Sequence, residues 1–129
     1  MSTPNGQRYP HHVTRAHTVE CFAQLTGGGV GVDLVNADST DPGAGEIVSA
    51  VWSSTGTYTV TFRKSWPELL YPPTAQFVGA TADFNMNCSA VDVSAKTATF
   101  VFNSNTTPTD VATTTTAYIR WVVRSTSKN

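Results

Sequence analysis

The chain is poor in charge, poor in cysteine and without a long apolar run. Only 13% of its 129 residues are charged, and the formal net charge is −1. A globular domain usually has about 25% charged residues, and a chain so nearly neutral has no electrostatic basis for binding nucleic acid or an anionic membrane. No stretch approaches the roughly 20 apolar residues of a membrane span. The polar start MSTPNGQRYPHH also lacks the apolar region of a secretory signal. We therefore expect a chain that is made and kept soluble inside a cell.

Residues that carry catalytic or metal chemistry are scarce. Cys21 and Cys88 fall at alternating positions of predicted strands, where we expect free thiols packed in the core; whether they are close enough for a disulfide stays open. The histidines are His11, His12 and His17, and no Cys/His set has zinc-site spacing. No serine stands in a G-x-S-x-G turn, and most carboxylates fall in predicted loops or at strand ends. The sequence predicts no enzyme, no metal and no cofactor.

Apolar and polar residues alternate with a period of two through most of the chain. In Thr57–Phe62 the side chains of Tyr58, Val60 and Phe62 share one face, and threonines occupy the other. The same alternation predicts further strands at 18–25, 30–34, 47–53, 74–82, 84–93, 97–102 and 117–124. In the strand 47–53 it places on one face Val48, Ala50 and Trp52. Roughly eight strands at such spacing predict an all-β fold, an antiparallel β-sandwich or jelly roll.

The chain divides into one domain with two short flanks. Residues 1–16 are polar, contain two prolines and show no periodicity, so we predict an extended N-terminal arm that is flexible or becomes ordered only on a partner. Tyr9 and His12 are the arm residues that we predict to contact a partner, although simple solvent exposure is the alternative for the histidine. Residues 17–125 form the predicted sandwich, and residues 126–129 a short tail.

Prolines and large apolar side chains occur together in the segment 65–73, SWPELLYPP. Proline has no N–H for a sheet ladder, which excludes this segment from a sheet interior, and we predict a loop. Either the loop seals the end of the core, or it presents an apolar patch to a partner. On the second interpretation the contact residues are Trp66, Leu69, Leu70 and Tyr71. Aromatic residues on an exposed face or loop would also suit a carbohydrate platform, for which Trp66, Tyr71 and Tyr118 are candidates, with core sealing as the alternative for Trp66.

Five motifs follow one another in a recognisable order: GTYTVTF at 56–62, SWPELL at 65–70, VSAKTATF at 93–100, TPTDVA at 107–112 and AYIRWVVR at 117–124. This order resembles the small structural proteins of tailed bacteriophages, particularly head decoration (cement) proteins. The resemblance covers about Val48 to Arg124. Phage tail-fibre domains share strands of the G-x-Y-x-V-x-F type.

The resemblance implies a function without an active site. It implies a β-sandwich, made in the bacterial host cytoplasm, that sits on the capsid of the virion and bridges neighbouring major capsid proteins. Its partners would be the major capsid protein and copies of itself, in a trimer rather than a dimer, with neither nucleic acid nor membrane. A receptor- or carbohydrate-binding module of a phage tail fibre is the alternative.

Overall fold

A computed structural model describes residues 17–36 and 46–125. The predicted arm with Tyr9 and His12, the predicted tail and residues 37–45 lie outside the described residues. Within them nine strands form: β1 Thr18–Thr26, β2 Val35–Asn36, β3 Ile47–Ser54, β4 Thr57–Phe62, β5 Glu68–Val78, β6 Phe84–Asp92, β7 Thr97–Ser104, β8 Thr107–Pro108 and β9 Thr116–Arg124.

The strands form two antiparallel sheets packed face to face, which confirms the predicted sandwich. The first sheet has the order β2-β1-β9-β5 and the second the order β3-β4-β7-β6, with β8 beside β7. The first and last long strands, β1 and β9, are neighbours and pair without a register shift from Thr18–Arg124 to Thr26–Thr116. The first sheet can therefore assemble only when the last strand is available.

The inward faces of both sheets supply one hydrophobic core. Because strand side chains alternate between the two faces, β4 buries Tyr58, Val60 and Phe62, as predicted. Its neighbour β7 and the central strand β9 add to this core Ala98, Phe100, Phe102, Ala117, Ile119, Trp121 and Val123. The rings of Phe62 and Trp121 lie 5.1 Å apart between centroids, so the largest side chains pack directly across the two sheets.

The prediction of a strand at 30–34 is wrong. Gly29 and Gly31 have φ values of +97° and +71°, which turn the chain out of an extended conformation. The strand that pairs with β1 is the shorter β2, and the residue before it, Leu34, donates its N–H to the carbonyl of Ala50 at 3.0 Å. This isolated bridge and the bond that the Asn36 side chain donates to the carbonyl of Ile47 at 2.7 Å link the two sheets at the edge where β2 and β3 lie.

The predicted loop at 65–73 is wrong from Glu68 onwards, because β5 begins there and runs through both prolines. Among the described strands it is at the edge of the first sheet and pairs with β9 alone. Its register shifts between Leu69 and Tyr71 and again between Tyr71 and Thr74. Edge strands with bulges are the places where a sheet tolerates proline. The absence of proline from sheet interiors therefore correctly excluded an interior strand here, but it did not exclude an edge strand.

Candidate functional site

The predicted contact residues of 65–73 occupy two different environments. Trp66 is only 6% exposed, and its ring packs edge-on against Phe62 with centroids 5.9 Å apart. Leu69 is half-buried against the same core. Tyr71, in contrast, is 69% exposed. The core-sealing interpretation therefore describes Trp66 and Leu69, and the surface interpretation describes Leu70 and Tyr71.

Leu70 and Tyr71 line a depression of about 920 Å³ on the outer face of the first sheet, which we call the entry depression. Its other lining residues are Thr18, Glu20, Arg120, Val122 and Arg124. Two ion pairs belong to this end of the sheet, Arg120 to Glu20 at 2.6 Å and Arg124 to Glu68 at 2.9 Å. Because Thr18 opens β1, the predicted arm joins the domain beside this depression.

A second depression of about 410 Å³ lies further along the same outer face, and we call it the aromatic depression. It is lined by side chains from three neighbouring strands: Phe22, Gln24, Thr74, Gln76, Tyr118 and Arg120, with the backbone of the inward residues between them. Phe22 is 58% exposed and Tyr118 46% exposed. Arg120 lines both depressions, so its ion pair with Glu20 lies at their boundary.

The edges of both sheets are built in a way that discourages pairing with another strand. The edge strands β3, β5 and β6 each contain at least one register shift, and β2 has only two residues. Bulges, prolines and short edge strands prevent edge-to-edge association in natural sheets. A partner of this domain is therefore expected to contact a sheet face or a loop.

One carboxylate organises the loops at one end of the sandwich. Asp110 accepts hydrogen bonds from the N–H of Gly31 at 2.9 Å and from the N–H of Gly56 at 2.7 Å. It also accepts the indole N–H of Trp52 at 2.9 Å. Burial raises the pKa of Asp110, but these bonds outweigh that effect and hold it below its usual value of 3.8. Hydrogen bonds to the charged form lower a carboxyl pKa in this way.

The loop that precedes β2 presents an apolar tip on this framework. Val30 is 90% exposed. The loop is nevertheless held in place by two backbone hydrogen bonds. The N–H of Gly27 donates to the carbonyl of Thr115 at 3.0 Å, and the N–H of Gly29 donates to the carbonyl of Val111 at 3.1 Å. An exposed apolar side chain on a preorganised loop loses little conformational entropy when a partner binds it.

Both cysteines are free thiols, as predicted. Burial is the main cause that raises the pKa of Cys21 to about 12 and that of Cys88 to about 11. Cys21 is fully buried, whereas Cys88 is only partly so. In the described part of the chain, no group of three or more His, Cys, Asp and Glu side chains could hold a metal ion. The same residues include no helix with the length and hydrophobicity required to cross a membrane.

Sequence reasoning did not identify three of these features. The alternation in β1 placed Phe22 opposite the buried face, but it gave no sign that Gln24, Tyr118 and Gln76 would lie beside it. Asp110 was one of several carboxylates spread over predicted loops and strand ends, and its partners are more than 50 positions away. Val30 was assigned to a strand, which hid its position at a loop tip.

Comparison of the chain with protein families, with curated proteins and with solved structures finds no match.

Proposed function

We propose that this protein is a structural component of a phage virion that binds the outer surface of the capsid, bridges neighbouring major capsid proteins and stabilises the head. The observation that carries the proposal is the position of the entry depression. The exposed Tyr71 and the half-buried Leu70 of the predicted contact segment lie on it, and the predicted arm joins the domain at its rim. Thr18 lines the same depression, so contacts made by residues 1–16 would start from the end of the sheet that holds Tyr71.

The chemistry of the entry depression suits a protein partner. Tyr71 supplies a large exposed ring, and tyrosine is enriched among the residues that dominate protein interfaces. The Arg120–Glu20 pair is substantially exposed, with 60% and 47% of the two side chains accessible. Exposed ion pairs contribute little to folding, so these charges are available to align a partner. Moderate affinity per copy suffices, because many copies on a symmetric shell act together.

The same geometry favours a closed ring of copies, for which we propose a trimer. Interrupted edge strands disfavour a dimer that continues one sheet into another. Residues 1–16 would span about 50 Å if fully extended, which is enough for one copy to contact the entry depression of the next. Such a head-to-tail contact is heterologous, and heterologous contacts that close produce rings.

Titration of the purified protein onto undecorated capsids tests the proposal. Wild-type protein should bind and saturate, and either Tyr71→Ala or removal of residues 1–15 should weaken binding at least tenfold. Val51→Ala is the matched control, because Val51 is also exposed but lies on the second sheet, and it should bind like the wild type. Absence of wild-type binding would overturn the capsid proposal, and full binding by both altered proteins would remove the entry depression from it.

The alternative is a receptor- or carbohydrate-binding module of a tail fibre. This alternative places the protein on the tail of the virion, whereas the capsid proposal places it on the head. Electron microscopy of particles labelled with an antibody to this domain separates the two. Label distributed over the head supports the capsid proposal, and label confined to the tail supports the fibre module.

A further inference from the structure

Six side chains of the aromatic depression are arranged in two rows of three by the pairing of β1, β9 and β5. In one row Tyr118 lies between Gln24 and Gln76, because it is the register partner of both. In the next row Arg120 lies between Phe22 and Thr74. Phe22 and Tyr118 are therefore diagonal neighbours on adjacent strands, a separation of about 7–8 Å that long side chains readily bridge.

Apart from Arg120, the polar side chains of this depression have no hydrogen-bond partner among the residues that the structure describes. Within residues 17–36 and 46–125, the side chains of Gln24, Gln76, Thr74 and Tyr118 make no hydrogen bond. Each amide offers two N–H donors and a carbonyl acceptor, and each hydroxyl offers both functions. The accessible rings of Phe22 and Tyr118 thus lie beside three further side chains, Gln24, Gln76 and Thr74, that can each donate and accept a hydrogen bond.

We propose that the aromatic depression binds a neutral glycan, and this inference rests on neither a head nor a tail location for the protein. A sugar ring has an apolar C–H face, which packs on the flat ring of Tyr118 or Phe22. It also has a rim of hydroxyls that require partners able to donate and accept, as the two amides can. A volume of about 410 Å³ lies within the range of small-molecule sites.

The charge of the depression selects a neutral sugar over an acidic one. Among the described residues that line it, Arg120 alone is charged, and the guanidinium is paired with Glu20 at 2.6 Å. An acidic sugar would meet a cation that already has a carboxylate partner and would bring its own charge close to Glu20. The depression therefore presents hydrogen-bonding groups without a net attraction for anions.

Isothermal titration calorimetry with defined oligosaccharides tests the inference. The probes are hexamers of β-1,4-linked glucose, β-1,4-linked N-acetylglucosamine, α-1,4-linked glucose and α-1,6-linked mannose, each at millimolar concentration, with hexagalacturonate as the acidic comparison. At least one neutral hexamer should bind, and hexagalacturonate should bind at least tenfold more weakly. Amide chemical shifts in NMR spectra should then move for β1, β5 and β9 around Tyr118.

Variants on either side of the Arg120 boundary make the test specific. Tyr118→Ala and the double variant Gln24→Ala/Gln76→Ala should each weaken glycan binding at least tenfold, whereas Tyr118→Phe, which keeps the ring, should retain it within threefold. Tyr71→Ala, in the entry depression, should bind the glycan like the wild type. It should instead lose capsid binding, so failure of one proposal is distinguishable from failure of the other.

Three results would overturn the inference: no binding by any neutral hexamer, tighter binding of the acidic hexamer, or full binding by Tyr118→Ala. Sedimentation velocity adds a fourth. If the wild type self-associates and Tyr118→Ala does not, a second copy of the chain covers this face and the glycan assignment is wrong. The melting temperatures of all variants should match the wild type, because every altered side chain is at least partly exposed.

Discussion

The indole of Trp52 donates a hydrogen bond from Nε1 to Oδ1 of Asp110 at 2.9 Å, although the two residues are 58 positions apart. The same oxygen accepts the N–H of Gly56, and the second oxygen accepts the N–H of Gly31. One carboxylate therefore fixes the loop before β2, the turn between β3 and β4, and the segment before β9. The exposed tip at Val30 depends on this connection for its position.

Asp110→Ala should lower the free energy of unfolding by about 2 kcal/mol. Hydrogen bonds to a charged group contribute about 1.5–3 kcal/mol each when their loss leaves a buried partner unsatisfied. For Asp110 the expected loss is smaller than the sum for three such bonds, because the carboxylate is partly exposed and water can replace some of them. Urea denaturation followed by tryptophan fluorescence measures the loss.

Asp92→Ala is the matched control for this prediction. Its carboxylate also accepts three hydrogen bonds, but they come from Ser94 and Ala95 within its own exposed turn. Because no distant segments are joined, the loss should be clearly smaller than for Asp110→Ala. Equal losses would show that the connection between loops contributes nothing beyond a local turn.

Acid should remove the contribution of Asp110. Although burial raises its pKa, hydrogen bonds from Gly56, Gly31 and Trp52 place the folded-state pKa below 3.8. A group with a depressed folded pKa stabilises the protein fully above its unfolded pKa, and this contribution is lost as the pH falls through the folded value. The difference in unfolding free energy between wild type and Asp110→Ala should therefore be constant near neutral pH and shrink as the pH falls below the usual carboxyl pKa of 3.8. A difference that stays constant to the lowest pH at which both proteins fold contradicts this.

The faces of β4, β7 and β9 were predictable because a strand without bulges fixes the side of every residue by its position alone. The third strand shows where this reasoning fails. Val48 was expected to share a face with Ala50, but the register shifts between Ile47 and Ser49. Ile47 is buried as a result, and Val48 is half exposed. Nothing in the local sequence marks that bulge, because its cause is the pairing with β4.

The candidate sites were less predictable than the fold, because they depend on which strands become neighbours. Leu70 and Tyr71 were found from the unusual apolar content of one segment. The row formed by Gln24, Tyr118 and Gln76 requires β9 to lie between β1 and β5, an order that periodicity does not specify. The three donors of Asp110 likewise come from three separate segments.

Trp66→Ala should lower the stability of the protein against unfolding, whereas Tyr71→Ala should leave that stability nearly unchanged. Trp66 packs against Phe62 and Trp121, and removing a buried ring of this size costs about 3–5 kcal/mol. Tyr71 is mostly exposed, and such substitutions usually change stability by no more than about 0.5 kcal/mol. Thermal unfolding of both variants measures this contrast, and a stable Trp66→Ala would mean that this ring does not seal the core.

Alanine substitutions at Gly56 and Gly31 should differ because of the space around them. Both glycines have positive φ, +74° and +71°, and both donate an N–H to Asp110, so the strain of about 1–2 kcal/mol for a left-handed residue is common to them. A Cβ at Gly31 meets nothing within 4 Å, whereas a Cβ at Gly56 would lie 2.6 Å from the carbonyl oxygen of Phe102 and 2.7 Å from the nitrogen of Thr109. Relieving that overlap adds about 1–3 kcal/mol. Gly56→Ala should therefore lose about 3 kcal/mol or more of unfolding free energy. Gly31→Ala should lose only the strain, and similar losses in urea denaturation would contradict the close packing of this turn.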